Sequence, residues 1–433
     1  MNRLVMMTIL LFLTAFSVQP AAAGESAVPV ELVQQNGRFL LLRDGQPYDV
    51  KGAGLEFSDI GVFAAHGGNS IRTWRTDNAQ FTGQQLLDEA ARHNVTVGLC
   101  IEIGRERLGF DYDDEDAVAR QLEYARGEVL KYKDHPALLF WIIGNEPNLH
   151  FENPRVFDAI NEISMMIHEL DGNHPTTTAL AGIDADLAGL MEQRSPDLDF
   201  LSIQMYGDIV NLPRYIDEMG FDKPYMVTEW GAIGHWEVPK TSWGAPIEQN
   251  SSEKAANYLK SYRTAIASDP QRVLGSYVFL WGQKQERTPT WYGMFLEDGT
   301  ETEAVDVMQY VWTGAWPENR SPQIHSMLLD SAAAHQNVEL SAGEQYQAIV
   351  SSSDPDGDTL RYQWQVMQES QATQTGGDRE VVPAEIPGLV VATGEGQAVV
   401  TAPMEPGAYR LFVYVHDDKG HAGHANIPFQ VKG

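Results

Sequence analysis

The sequence predicts a (β/α)8 barrel followed by a small all-β immunoglobulin-like sandwich, and three observations carry that expectation. Eight short β-rich runs alternate with helix-like stretches through the first 316 residues. Such alternation gives right-handed βαβ units and a parallel sheet, and eight in succession close into a barrel. After Trp316 the texture changes to short alternating runs and turn clusters, with no convincing helix. An open doubly wound sheet is the alternative. It lacks support because no Gly-x-Gly-x-x-Gly follows the first strand.

In chain order, the first element is a targeting segment. Arg3 supplies a positive charge, and 5–16 is an apolar run too short to span a membrane comfortably. Ala21-Ala22-Ala23 then offers an Ala-x-Ala cleavage site. A signal peptide over 1–23 is therefore expected, with the mature chain starting near Gly24 in a secreted or periplasmic setting. A retained N-terminal anchor is the alternative. The only cysteine, Cys100, lies in the apolar run 95–101. It reads as a buried, inert thiol, and one cysteine allows no internal disulfide.

The eight strand candidates are 48–51, 69–74, 95–102, 138–145, 176–181, 200–206, 224–229 and 274–281. Helical periodicity falls on 81–93, 115–133, 155–170, 212–219 and 252–268. The catalytic barrel is thus placed at 24–316. Pro317, Asn319, Ser321 and Pro322 suggest a linker at 317–322. The sandwich is placed at 323–433, with strands at 346–350, 360–366, 398–401, 408–415 and 427–431 and a long mobile loop at 370–379.

Charge bounds the partners. Sixty Asp and Glu against thirty Lys and Arg give a formal net charge of −30. With no Lys/Arg run, nucleic acid and anionic membrane are disfavoured as partners. An acidic mouth would also repel an anionic polymer, so a neutral polysaccharide is the expected substrate and a monomer the expected state. No His-Glu-x-x-His, Cys pair, phosphate loop or Gly-x-Ser-x-Gly elbow is present, and no cofactor is expected to be required.

Barrel active sites lie at the C-terminal ends of the strands. The fourth run ends Ile143-Gly144-Asn145-Glu146, and the seventh ends Met226-Val227-Thr228-Glu229. An apolar strand has no packing use for a terminal Glu, whereas two facing carboxylates are what glycosidic cleavage needs. The alternative for each is a salt-bridged or capping carboxylate. Around the strand ends stand Trp74, Trp230, His235, Trp236, Trp243, Trp291 and Tyr292, which suit the apolar faces of sugar rings. Glu56, Glu102, Asn148 and His150 are placed to bond sugar hydroxyls or to support residues that do.

The Asn145-Glu146-Pro147 and Thr228-Glu229-Trp230 signatures resemble those of glycoside hydrolase clan A, retaining hydrolases built on this barrel. The resemblance covers about 48–316. It implies Glu146 as general acid/base and Glu229 as nucleophile. It further implies Arg72 steadying the nucleophile, Tyr206 hydrogen-bonding it, Trp281 flooring the sugar site and Asn145 on the sugar 2-hydroxyl. Within the clan the chain looks most like β-1,3-glucan (laminarin)-degrading enzymes, and also like the barrel of the β-galactosidase/β-glucuronidase group. An endo-β-1,3-glucanase is therefore expected, with a β-1,4-glucanase, mannanase, exo-β-glycosidase or transglycosylase as alternatives, and a non-catalytic glycan binder as a different class. The C-terminal region resembles immunoglobulin-like modules of the cadherin type, through Ser353-Asp354-Pro355-Asp356-Gly357-Asp358 among others. That loop could hold a structural Ca²⁺ at Asp354–Asp358, a plain Asx/Gly turn being the alternative.

Overall fold

The computed structural model describes residues 26–373 and 376–432. The expected signal peptide lies outside the described residues. Among these, no helix is long and apolar enough to cross a membrane.

Eight parallel strands close into a barrel: Val50–Gly54, Ser70–Arg72, Thr96–Ile101, Leu138–Asn145, Thr176–Ala181, Leu201–Gln204, Tyr225–Glu229 and Val273–Val278, the last pairing with the first. Their near-continuous apolar runs follow from burial on both faces. In the fourth, every residue from Leu138 to Gly144 is buried. Leu139, Phe140 and Ile142 pack inside with Cys100, Met226 and Tyr277, while Leu138, Trp141 and Ile143 join the layer beneath the helices. Burial pushes the Cys100 thiol up to about 12, which keeps it protonated and inert.

Three helices, Ile60–Ala65, Ala185–Arg194 and Glu303–Thr313, were not expected from periodicity. The first is a single capped turn and a half, held by Asp59 accepting from Gly61 and Val62 amides. The second buries only Met191, so its pattern has little apolar contrast. The third is enclosed on most sides and lacks a polar face. An N-terminal antiparallel hairpin, Val30–Gln35 with Arg38–Arg43, turns at Asn36-Gly37 and covers the barrel end opposite the mouth. Its Val30 and Leu41 pack with the interior residues of the barrel.

Two four-stranded sheets form the C-terminal sandwich. One contains Gln323–Leu329, Gln345–Ser353, Val390–Gly394 and Gln397–Thr401; the other contains Val338–Ser341, Arg361–Gln368, Gly407–His416 and Ala422–Lys432. Leu329, Ala348, Val400, Leu411, Val413 and Phe429 fill the space between them.

The two units are joined by a polar seam rather than by a tether. In 317–322, Ser321 is fully buried with its amide 2.7 Å from Asp306 Oδ2, and Asn319 donates to Asp417 over 2.6 Å. The segment expected as a linker is thus fixed at both ends by side chains of the two units. Further along the seam, Asn426 Nδ2 donates to Glu248 (2.6 Å), Arg410 to the Pro246 carbonyl (2.8 Å), and the His424 amide to Ser251 Oγ (2.9 Å). Lys254, also buried, pairs with Glu248. The segment 370–379, expected as a mobile loop, is docked on the barrel through its described residues, because Asp378 and Gly377 find partners there.

Candidate active site

The fourth strand aims its last residues through an irregularity in the ladder. Its register with the fifth strand shifts between Ile142 and Asn145, and Gly144 takes φ +75°. A Cβ at 144 would fall 2.6 Å from the Ile103 side chain, so glycine is required for both space and conformation. Glu146 follows at φ 51°, held by its amide donating to the Ala179 carbonyl over 2.7 Å. A non-glycine residue held there stores on the order of 1–3 kcal/mol, a strain that concentrates at functional sites.

Glu229 ends the seventh strand with 7% of its side chain exposed. Its Oε1 accepts from Trp74 Nε1 (2.7 Å), an Arg72 terminal nitrogen (3.0 Å) and Gln204 Nε2 (3.0 Å); its Oε2 accepts from the Tyr206 hydroxyl (2.8 Å). Charge-assisted donors in this number suit a carboxylate anion. Arg72, fully enclosed, also donates to Asn145 Oδ1 (2.6 Å) and the Thr228 carbonyl (3.2 Å), and its guanidinium lies 5.0 Å from the Trp74 ring centre. Room for that indole exists because Gly54 ends the first strand. A Cβ there would lie 2.7 Å from the Trp74 ring. Burial, with Glu229 and Glu146 alongside, raises the Tyr206 phenol well above its ordinary value, so it remains a donor.

Glu146 faces the same mouth in a different environment. Among the described residues no side chain donates to its carboxyl, whereas Glu229 has four such donors. Burial first and the Glu229 charge second push it up to about 8, against opposing contributions from Arg72, Arg105 and Arg107. The mouth therefore holds two carboxyl groups whose environments are pushed apart.

Of the other expected site residues, Arg72, Trp74 and Tyr206 converge on Glu229 as described. Asn145 joins them indirectly: its Oδ1 accepts from Arg72 (2.6 Å) and Gln204 (2.8 Å), both of which also donate to Glu229. Trp236 is half exposed beside Tyr206, with ring centres 5.6 Å apart. Glu102 sits at the rim with 47% of its side chain exposed, 4.0 Å from Arg105. Two expectations are corrected. Trp281 does not floor the site: it is buried against Phe63, Phe295 and Trp312 beneath the helices. Trp230 is fully buried against Tyr258 and Tyr262 on the outside of the barrel. The chain leaves the eighth strand at Val278, so strand alternation no longer decides which side a later aromatic takes. Phe279 takes the mouth position, edge-on to Trp74, Tyr206 and Tyr292.

Gln204 and Phe279 are site residues that sequence reasoning did not single out. Gln204 is the last residue of the sixth strand, two residues before Tyr206, and that position was the available signal. Tyr292, noted only as a loop aromatic, donates or accepts at His235 Nδ1 over 3.0 Å. Burial, then Arg287, Lys240 and Lys284, press that imidazole down to about 4, so it is neutral.

The three aspartates of the sandwich, Asp354, Asp358 and Asp417, bring carboxylate oxygens within 4.8 Å of one another. Asp354 Oδ1 already closes a turn by accepting from the amides of Asp356 and Asp358, and Lys419 Nζ lies 2.6 Å from Asp358. The Oδ2 atoms of Asp354 and Asp358 are buried and have no hydrogen-bond partner among the described residues.

Residues 55–241 match the model of the TIM barrel domain of glycosyl hydrolases family 2. Among solved structures, the chain is similar to Bacteroides uniformis β-glucuronidase 2 covalently bound to cyclophellitol-6-carboxylate aziridine, with a TM-score of 0.51 and 11% identity over 93% of this chain and 48% of that one. It is similar to Bifidobacterium dentium β-glucuronidase complexed with coumarin-3-O-glucuronide (TM-score 0.51, 20% identity, 66% and 49% coverage). It is also similar to a Faecalibacterium prausnitzii β-glucuronidase (TM-score 0.50, 17% identity, 66% and 52% coverage). At these identities the likeness is one of fold, and the chain spans about half the length of these structures. No curated protein matches.

Proposed function

We propose that the chain is a retaining β-glycoside hydrolase in which Glu146 is the general acid/base and Glu229 the nucleophile. The observation that carries this is the pair of glutamates at one barrel mouth in unlike settings. One is enclosed and pushed toward its protonated form, and the other is clasped by four donors. In the first step Glu146 gives its proton to the glycosidic oxygen as the bond from that oxygen to the anomeric carbon breaks. Glu229 bonds to the anomeric carbon from the opposite face. Its Oε1 already accepts three hydrogen bonds and Oε2 one, so Oε2 is the oxygen with a lone pair to offer. In the second step Glu146 takes a proton from water, whose oxygen displaces Glu229 with retention. The match of 55–241 to a glycosyl hydrolase barrel model supports the reaction class.

The endo-β-1,3-glucanase specificity expected from resemblance is not supported by the comparisons, and we do not retain it. A neutral β-glycoside remains the better substrate reading. The rim cations Arg75, Arg107, Lys284 and Arg287 each face a carboxylate, namely Glu56, Asp378, Glu286 and Glu380, so their charge is already neutralised. A uronide is the second reading. It is favoured by Arg105, whose only ion-pair contact among the described residues is 4.0 Å long, and by the β-glucuronidases among the similar structures. Export is part of the proposal on the N-terminal pattern alone. A panel of 4-nitrophenyl β-glucoside, galactoside, mannoside and glucuronide, with NMR of the first-formed anomer, tests both parts. Release of the β-anomer supports the mechanism, and release of the α-anomer would sink it.

A further inference from the structure

The connection between the sandwich strands Arg361–Gln368 and Val390–Gly394 runs through 369–389. These two strands lie in different sheets; connections between elements usually use about 4–6 residues, and longer loops usually carry function. Its described residues do not hang free. Glu369 is buried against Arg410, two bonds of 2.7 and 3.0 Å fixing the start of the loop. Asp378 then takes both terminal nitrogens of Arg107, at 2.9 and 3.1 Å, from the segment after the third barrel strand. Glu380 accepts from the Arg287 amide at 2.7 Å, and the Gly377 amide donates to Glu286 at 3.4 Å, both after the eighth strand. Between these anchors Gly376 lies against Trp236, after the seventh strand, so closely that a Cβ there would be 3.3 Å from the indole. One loop of the sandwich thus touches segments following three different barrel strands. Those segments border the mouth that holds Glu146 and Glu229.

Resting on the glycosidase reading above, we propose that residues 376–380 of this loop and Trp236 together form the binding surface for the part of the substrate beyond the ring being cleaved. Trp236 is suited to it. The indole is half exposed, its edge is fixed by Tyr206 and His235 on one side and by the loop backbone on the other, and a flat apolar face suits the C–H face of a second sugar or an aryl group. The latch is ionic: Asp378 and Glu380, both partly or wholly withdrawn from water, meet Arg107 and Arg287. The C-terminal unit then sets how long or how bulky a glycoside the barrel accepts.

The test uses the full chain, its Asp378→Ala/Glu380→Ala double variant, the milder Asp378→Asn/Glu380→Gln pair, and Trp236→Ala. Each is assayed on a β-glycosyl fluoride, which carries only the reacting ring, and on the matching disaccharide. The ratio of kcat/KM for disaccharide to that for fluoride is expected to fall at least about fivefold in Trp236→Ala and in both loop variants. An unchanged ratio in variants that melt like the wild type overturns the proposal. If the wild-type chain cleaves neither substrate under any condition, the hydrolase reading falls, and this proposal with it. Activity on the fluoride with an unaltered ratio would sink the loop proposal alone.

Discussion

Arg72 and Glu229 form an enclosed ion pair, 3.0 Å from guanidinium nitrogen to Oε1, with no exposure of the arginine side chain. Removing one partner of such a pair leaves an uncompensated buried charge, typically costing about 3–5 kcal/mol. Arg72 also bridges to Asn145, so it fixes the spacing of two strand ends at once. Arg72→Met should lower the melting temperature and reduce kcat/KM by about a hundredfold or more in whatever folds. Arg72→Lys should keep most stability yet lose the second bridge and still fall at least about tenfold in kcat/KM. Thermal melts beside steady-state kinetics separate the two effects, and a fully active Arg72→Lys would contradict the bridging role.

The nucleophile and acid/base roles predict different chemistry on truncation. Glu229→Ala should fold and show no turnover. Added azide should then restore activity by entering from the face the carboxylate used, giving the inverted glycosyl azide. Glu146→Ala should retain slow cleavage of substrates whose leaving group needs no proton, and azide should there give the retained product. NMR of the azide products reads the assignment directly. The opposite stereochemical pairing would reverse the two roles.

Glu146 also predicts a pH dependence with a definite sign. Its folded-state value is raised to about 8, chiefly by burial and then by Glu229. The proton needed by the leaving group is therefore present below that value and lost as pH rises through it. The profile of kcat/KM should carry a basic limb near pH 8. The same raised value means that the folded state loses stability as pH climbs from the ordinary carboxyl range toward 8. Glu146→Gln should thus melt progressively higher than the wild type across that window and hold a constant lead above it. Calorimetry from pH 4 to 9 checks this, and a parallel pair of curves would count against it.

What was legible in the sequence, and what was not, divides along physical lines. Eight apolar runs showed themselves because barrel strands are buried on both faces, and Glu146 and Glu229 stood out as charges ending such runs. The Ile60–Ala65 helix was too short to show a period, and most residues of Glu303–Thr313 are buried whatever their polarity, Glu303 and Asp306 included. Trp230 and Trp281 were misplaced because an aromatic beyond a strand end packs equally well under a helix or at the mouth, and only tertiary packing decides. The polar seam could not be seen at all. Nothing in the residue pattern marks Glu248, Lys254 and Asn426 as partners; they become so only where the two units meet.

That seam gives the last prediction. Glu248 accepts from Asn426 of the sandwich while accepting from Thr288, Thr290 and Lys254 of the barrel, all of them buried. Deleting 321–433 would remove Asn426, uncover Ser251 and Ser252, and strip the partner of Asp306, which takes the Ser321 amide. A buried charge that loses one hydrogen bond costs about 1–3 kcal/mol, and several are lost together. The truncated barrel should therefore melt well below the full chain or fail to fold, rather than behave as an independent catalytic unit. Asn426→Leu is the finer probe. It removes a donor from Glu248 and an acceptor from Arg410, and should lower stability by about 1–3 kcal/mol or more. A truncated barrel as stable as the full chain would show that the seam contributes nothing to folding.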